Sequence, residues 1–231
     1  MSLEVKAALW LIATIAMYAL ARRIYARYPR WWTAPLLVTW GMCVLLIVAC
    51  HSTYQEYFLG THWLVLFLGP ATLAFALPVY EQRELIRRHW VILLAGALVG
   101  SGIALGTSWW LASWLHLSPE VRASLLPRSV TTPFALDMAH RLGGGAELTA
   151  SLTAVTGLFG AAVGEILLKW LPLRSSFARG AMYGMGAHGA GVARAREMGA
   201  EEGAVAGVIM ILAGLLNVLG VAVFVMVHRL G

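Results

Sequence analysis

Two stretches of this chain place reactive side chains among apolar residues. The first reads Leu126-Pro127-Arg128-Ser129-Val130-Thr131-Thr132-Pro133-Phe134-Ala135-Leu136. Its hydroxyls offer short polar contacts, and a buried arginine suits a carboxylate because the planar guanidinium presents two parallel N–H donors. Pro133 has no N–H and biases Thr132 away from helix, so carbonyls are freed beside those hydroxyls. Upstream, Gly69-Pro70-Ala71-Thr72 again sets a proline close to a threonine. A spanning helix needs about 20 apolar residues, so so short a stretch reads as re-entrant or interfacial. Irregular backbone at membrane depth persists only where protein buries it or it lines a wet cavity. A solute site is therefore expected here, on segments broken at Pro70 and Pro133.

The second stretch, residues 178–197, carries His188, Arg194 and Glu197 among Gly180, Gly184, Gly186, Gly189 and Gly191. Small residues four apart let helices approach closely, and packing alone would explain the glycines. The packing face, however, ends at His188 and continues into Arg194 and Glu197, which at i,i+3 share a helix face and can pair. A histidine can change charge near neutral pH. A further break is expected at Gly189 and Gly191. The candidate binding residues are thus Thr72, Arg128, Ser129, Thr131, Thr132, His188 and Arg194. Glu165 is expected to pair with Lys169, four residues on, and Glu147 with Arg141.

No catalytic constellation accompanies them: the chain has no G-x-S-x-G, H-E-x-x-H, Walker A or paired-cysteine metal spacing. Ser129 and His188 have no orienting carboxylate at a recognisable spacing, so neither an enzyme nor a metal or other cofactor is expected. Cys43 and Cys50 share one apolar run and read as a buried pair of thiols.

The elements that must position these residues are membrane spans. The 231 residues are 60% hydrophobic and only 12% charged, with a mean hydropathy of +0.75, which describes no soluble domain. Uncharged runs at 7–21, 31–55, 57–80, 90–119, 148–164 and 203–227 point to an all-α polytopic membrane protein with about 6–8 membrane segments, some broken or re-entrant. Residues 1–231 read as one domain, regular spans through 118 and a motif-rich half from 119 to 231. Trp31, Trp32, Trp63, Trp90, Trp109, Trp110, Trp114 and Trp170 lie at or near run ends, where an amphipathic ring suits the headgroup layer.

The net charge of +6 resides in short loops between apolar runs, which excludes nucleic acid as a partner. Arg22, Arg23, Arg27 and Arg30 form one basic loop, Arg83, Arg87 and Arg88 a second, and Lys169, Arg174 and Arg179 a third. By the positive-inside rule these face the cytoplasm and the N-terminus faces out. The opening segment lacks a basic n-region and cleavage site and reads as a retained helix. Thr72-Leu73-Ala74-Phe75-Ala76-Leu77 matches Thr131-Thr132-Pro133-Phe134-Ala135-Leu136 at an offset of 59, a possible internal repeat.

The chain resembles the LrgB/CidB family of bacterial membrane proteins at Pro127–Pro133, Gly143-Gly144, Leu148-Thr149-Ala150, Ala178-Arg179-Gly180 and the stretch from His188 to Ala195, and upstream at Leu68-Gly69-Pro70-Ala71-Thr72. Arg128 stands where that family usually has lysine, Val192 where it has threonine, and Gly145-Ala146 where it has Ile-Pro or similar. The resemblance implies a multi-pass protein of the bacterial inner membrane, working beside a small LrgA/CidA-like membrane partner; the large apolar faces of the early spans add the expectation of a homo-oligomer. The resemblance implies one of two activities: transport of small 2-hydroxy or 2-oxo monocarboxylates of the glycolate, glycerate and pyruvate class, or antiholin/holin-like regulation of murein hydrolase export and cell lysis. In the first, Ser129, Thr131, Thr132 and Thr72 would contact the solute's hydroxyl or oxo group, Arg128 or Arg194 would hold its carboxylate, and His188 would sense or carry a proton. The Trp-rich runs 31–50 and 90–114 would form the homo-oligomer contact or the partner's dock.

Overall fold

A computed structural model of the chain describes residues 3–67, 70, 73 and 76–230. All its regular elements among those residues are helical. They are α1 (Leu3–Arg27), α2 (Pro35–Ala49), α3 (Tyr54–Leu66), α4 (Ala76–Glu81), α5 (Arg83–Trp114), α6 (Pro119–Leu125), α7 (Thr132–Leu142), α8 (Ala146–Trp170), α9 (Ser176–Met198) and α10 (Ala200–Leu230), with 3-10 turns at Trp31–Thr33 and Leu126–Ser129. α1, α5, α8 and α10 are long and apolar enough to cross a bilayer, and α2 is a shorter apolar helix. The all-α polytopic expectation thus holds. The run 31–55 is interrupted, because α2 stops at Cys50 and the chain turns before Thr53 caps α3 through the Glu56 N–H.

The chain divides into two compact units, Met1–Pro70 and Ala71–Gly231. In the first, α1 packs on α2 and α3. Trp10 meets Tyr57 edge-on at 5.5 Å, and Gly60 lies against Ala7 and Trp10. Tyr57 Oη approaches Cys43 Sγ at 3.8 Å. Cys43 is buried but Cys50 is exposed, and both are free thiols. The expected buried pair is therefore half right: Cys50 ends α2, where the chain turns outward.

The second unit is built around α10, the most apolar of the four spans. It packs on α4, α5, α7 and most extensively on α9. Asn217, buried within α10, donates to Ser101 Oγ of α5 at 2.7 Å. The exposure of Trp90, Trp109, Trp110, Trp114 and Trp170 agrees with boundary positions and not with a core role.

Candidate functional site

The site arises where two helices fail to continue. In the first, α6 gives way to the 3-10 turn Leu126–Ser129, then Val130 and Thr131 are extended before Pro133 opens α7. Pro133 sits in the first turn of α7, where its missing N–H costs nothing, so the expected break is present at residues 126–131. Ser124 beside it holds the start of α8: its Oγ accepts from the Gly145 N–H at 2.9 Å, and its carbonyl accepts from Thr149 Oγ1 at 3.4 Å. Gly144 closes this contact, since a Cβ there would meet the Ser124 amide nitrogen at 2.8 Å. The returning α7 puts Phe134 against Gly214 and shares a core cluster with Val221.

The second break is at His188, whose φ of 36° and ψ of −120° interrupt α9. A non-glycine residue in that region is strained and is held there by its surroundings. The break falls one residue before the expected Gly189 and three before Gly191, neither of which has positive φ. Its consequence is a reversal of the chain. Gly191 lies against the backbone of Tyr183, where a Cβ would meet the carbonyl carbon at 2.7 Å; eight residues of unbroken helix would hold them about 12 Å apart. Residues 176–187 and 189–198 are thus the two arms of a helical hairpin.

Neighbouring contacts fix the direction of each arm. Gly157, Gly160 and Gly164 of α8 face His188, Ala187 and Tyr183 in turn, so the first arm runs antiparallel to α8. Gly180 faces Val205, and Gly184 faces Ile209, so the same arm runs parallel to α10. His188, at the tip, therefore lies near the middle of α8. At 1.5 Å per residue the arms are about 18 and 15 Å long, each too short for a bilayer core of about 30 Å. The α6–α7 turn enters from the end where α8 begins; the α9 hairpin enters from the end where α8 finishes. Two re-entrant tips from opposite faces meet midway, where the His188 imidazole approaches the backbone of Arg128.

A cavity of about 390 Å³ opens beside these tips, bounded by α5, the 3-10 turn, α8 and the first arm of α9, with Arg128, Ser129, Thr156, Gly160, Tyr183 and Gly186 among its lining. Arg128 is half-buried, donates from Nε to Ser108 Oγ at 3.1 Å, and forms no ion pair among the described residues. A cation withdrawn from water without a counter-ion is unfavourable, and the cavity is where an anion would relieve it. The His188 side chain is 6% exposed, and its Nε2 has no hydrogen-bond partner.

The sequence-derived residues are not all brought together. Arg128 and Ser129 line the cavity. Thr131 is buried and Thr132 half-buried, but neither lines it. His188 stands at the neighbouring tip. Arg194 is engaged elsewhere: Nη2 pairs with Glu165 Oε1 and Nη1 with Glu197 Oε2, both at 2.7 Å. The Arg194–Glu197 pairing was expected, but Glu165 turns to Arg194 and not to Lys169, because the reversed arm of α9 brings the guanidinium back alongside α8. Arg141 likewise pairs with Asp137, at 2.7 Å, and not with Glu147. Thr72 lies outside the described residues, as does most of the Gly69–Thr72 break, of which only Pro70 is described. Sequence reasoning missed Tyr183, Thr156 and Ser108, whose types are unremarkable in an apolar helix; the glycines that admit Tyr183 were the available signal.

The fold and its two opposed re-entrant breaks define a multi-pass, all-α membrane protein. The LrgB-like family model matches residues 14–227. The chain is 37% identical to the uncharacterized protein YwbG of Bacillus subtilis, over 90% of this chain and 92% of that one. It is 30% identical to the holin-like protein CidB of Staphylococcus aureus, over 92% and 93%, and 31% identical to the antiholin-like protein LrgB of B. subtilis, over 83% of each. The chain belongs to the LrgB-like family. No solved structure matches it.

Proposed function

We propose that residues 1–231 act as one LrgB-like domain, a secondary transporter of small 2-hydroxy or 2-oxo monocarboxylates across the bacterial inner membrane, working with a small LrgA/CidA-like partner. The observation that carries this reading is Arg128: a half-buried guanidinium without an acidic partner among the described residues, on broken backbone beside a 390 Å³ cavity. A cavity of that size accommodates a three-carbon acid. The amino ends of α7 and of residues 189–198 begin at the two tips, and helix amino ends favour anions. Ser129 reaches the cavity directly, Thr131 and Thr132 support the same break, and His188 supplies a hydrogen-bonding nitrogen and, on protonation, a proton. Thr72 is proposed as a further contact. Alternating access would move one tip past the other.

Radiolabelled pyruvate and glycolate uptake into proteoliposomes, with and without the partner, tests this. Wild-type protein should accumulate or exchange one of these acids. No movement in either condition, with protein correctly inserted, overturns the reading. A second reading, an antiholin/holin-like regulator of murein hydrolase export without transport of its own, is favoured by the printed names of CidB and LrgB. It expects a change in lysis on deletion that survives loss of Arg128.

A further inference from the structure

We infer that Glu165, Arg194 and Glu197 form the proton-coupling site of the transporter, linked to the solute cavity through Tyr183. The inference rests on the transport reading above. Two carboxylates share one guanidinium, each at 2.7 Å, and the side chains are about one-third exposed, at 31–34%. A carboxylate set within a membrane-embedded bundle is costly to leave charged and unpaired, and here one of the two can take a proton while the other keeps Arg194 paired.

Glu165 is the member suited to take it. It belongs to the spanning helix α8, whereas Glu197 is local to Arg194, three residues away on the same arm. When a proton binds a Glu165 oxygen, the Arg194–Glu165 ion pair becomes a hydrogen bond to a neutral carboxyl group and Arg194 remains neutralised by Glu197. Release of that proton restores the ion pair. Neither step leaves the guanidinium without an anion, so the arm can cycle without exposing a bare charge.

A second observation ties the cluster to the solute. Tyr183 is 1% exposed; its hydroxyl and Arg194 Nε are each buried without a well-formed hydrogen bond. That hydroxyl lies within electrostatic reach of Arg194, Glu165 and Glu197, while Tyr183 also lines the cavity with Arg128. Gly164 admits the ring, since a Cβ there would meet Tyr183 Cε1 at 2.6 Å. One buried side chain therefore borders the cavity and senses the charge of the cluster. Of the other charged groups on elements around the cluster, Arg128 lines the cavity, Arg179 pairs with Glu202 of α10, and Lys169, one turn along α8 from Glu165, and Arg196, next to Glu197, make no ion pair among the described residues. His188 faces Gly157, about two turns back along α8. An anion entering with one proton makes the loaded carrier neutral relative to the empty one.

The test separates coupling from solute binding in proteoliposomes loaded with wild-type or Glu165→Gln protein, with the membrane potential clamped. Wild-type vesicles with an alkaline interior should concentrate labelled pyruvate about tenfold per pH unit for one proton per anion. Glu165→Gln should keep pyruvate–pyruvate exchange and lose gradient-driven accumulation, and Glu165→Asp should restore part of it. Glu197→Gln, which leaves Arg194 without an anion once Glu165 is protonated, should likewise keep exchange and lose gradient-driven accumulation. Accumulation by Glu165→Gln at the wild-type level overturns the inference, as does loss of exchange and accumulation together in folded protein. Wild-type vesicles that exchange but ignore the gradient overturn the inference alone; wild-type vesicles that do neither remove the transport reading and the inference with it.

Discussion

At the scale of single residues, Arg128 and Arg194 have different electrostatic situations, and their variants should fail differently. Arg128 has a hydroxyl for company and no acid among the described residues. Arg128→Ala should lose carboxylate uptake by the equivalent of about 2–5 kcal/mol of lost charge pairing, with insertion and thermal midpoint near wild type. Arg194→Ala leaves Glu165 and Glu197 facing each other without a cation. It should lower the thermal midpoint in detergent, and equal midpoints for the two variants would contradict this distinction. Gly157 gives a third handle, because a Cβ there would meet His188 Cε1 at 2.8 Å. Gly157→Ala should displace the imidazole and reduce uptake at matched protein levels, while Gly102→Ala, with open space around it, should transport as wild type. Replacing Ser129, the hydroxyl that reaches the cavity, by alanine should erase discrimination between a 2-hydroxy acid and its deoxy analogue, read as the ratio of their uptake rates.

At the scale of elements, the sequence announced the first break and only the neighbourhood of the second. Pro133 fixes the first because a proline lacks the N–H a continuing helix would need. Residues 178–197 contain no proline, so their glycines suggested a break without saying where. It falls at His188 because Gly157, Gly160 and Gly191 leave room on either side for backbones to meet, a three-body condition that no local pattern encodes. For the same reason the Arg194–Glu197 pair was legible, both partners being on one helical turn, and the Arg194–Glu165 pair was not: it depends on the reversal. The opposed entry of the two hairpins is testable by accessibility. In a background with Cys43 and Cys50 replaced, single cysteines at the exposed Glu147 and Arg174 should react with an impermeant maleimide from opposite faces of the membrane; labelling from one face would refute the arrangement.

At the scale of the whole molecule, two of the three basic loops share an end. Arg87 and Arg88 of α5 and Glu201 of α10 border one cleft, and the Lys169–Arg179 loop lies at that same end through the Arg179–Glu202 pair. The Trp-rich runs 31–50 and 90–114 carry exposed apolar side chains, Leu45 and Trp110 among them; single cysteines placed there should crosslink to a second copy or to an LrgA-like protein. The α9 hairpin also constrains how the protein is made. Residues 176–198 are not apolar enough to count among the spans, whereas the α10 segment that follows is the most apolar of all. The hairpin's small residues have their partners on α10, at Val205, Ala206 and Ile209, and these emerge from the ribosome after it. Its packing is therefore completed out of order: the hairpin can meet α8 as soon as it emerges, but it closes only once α10 has followed.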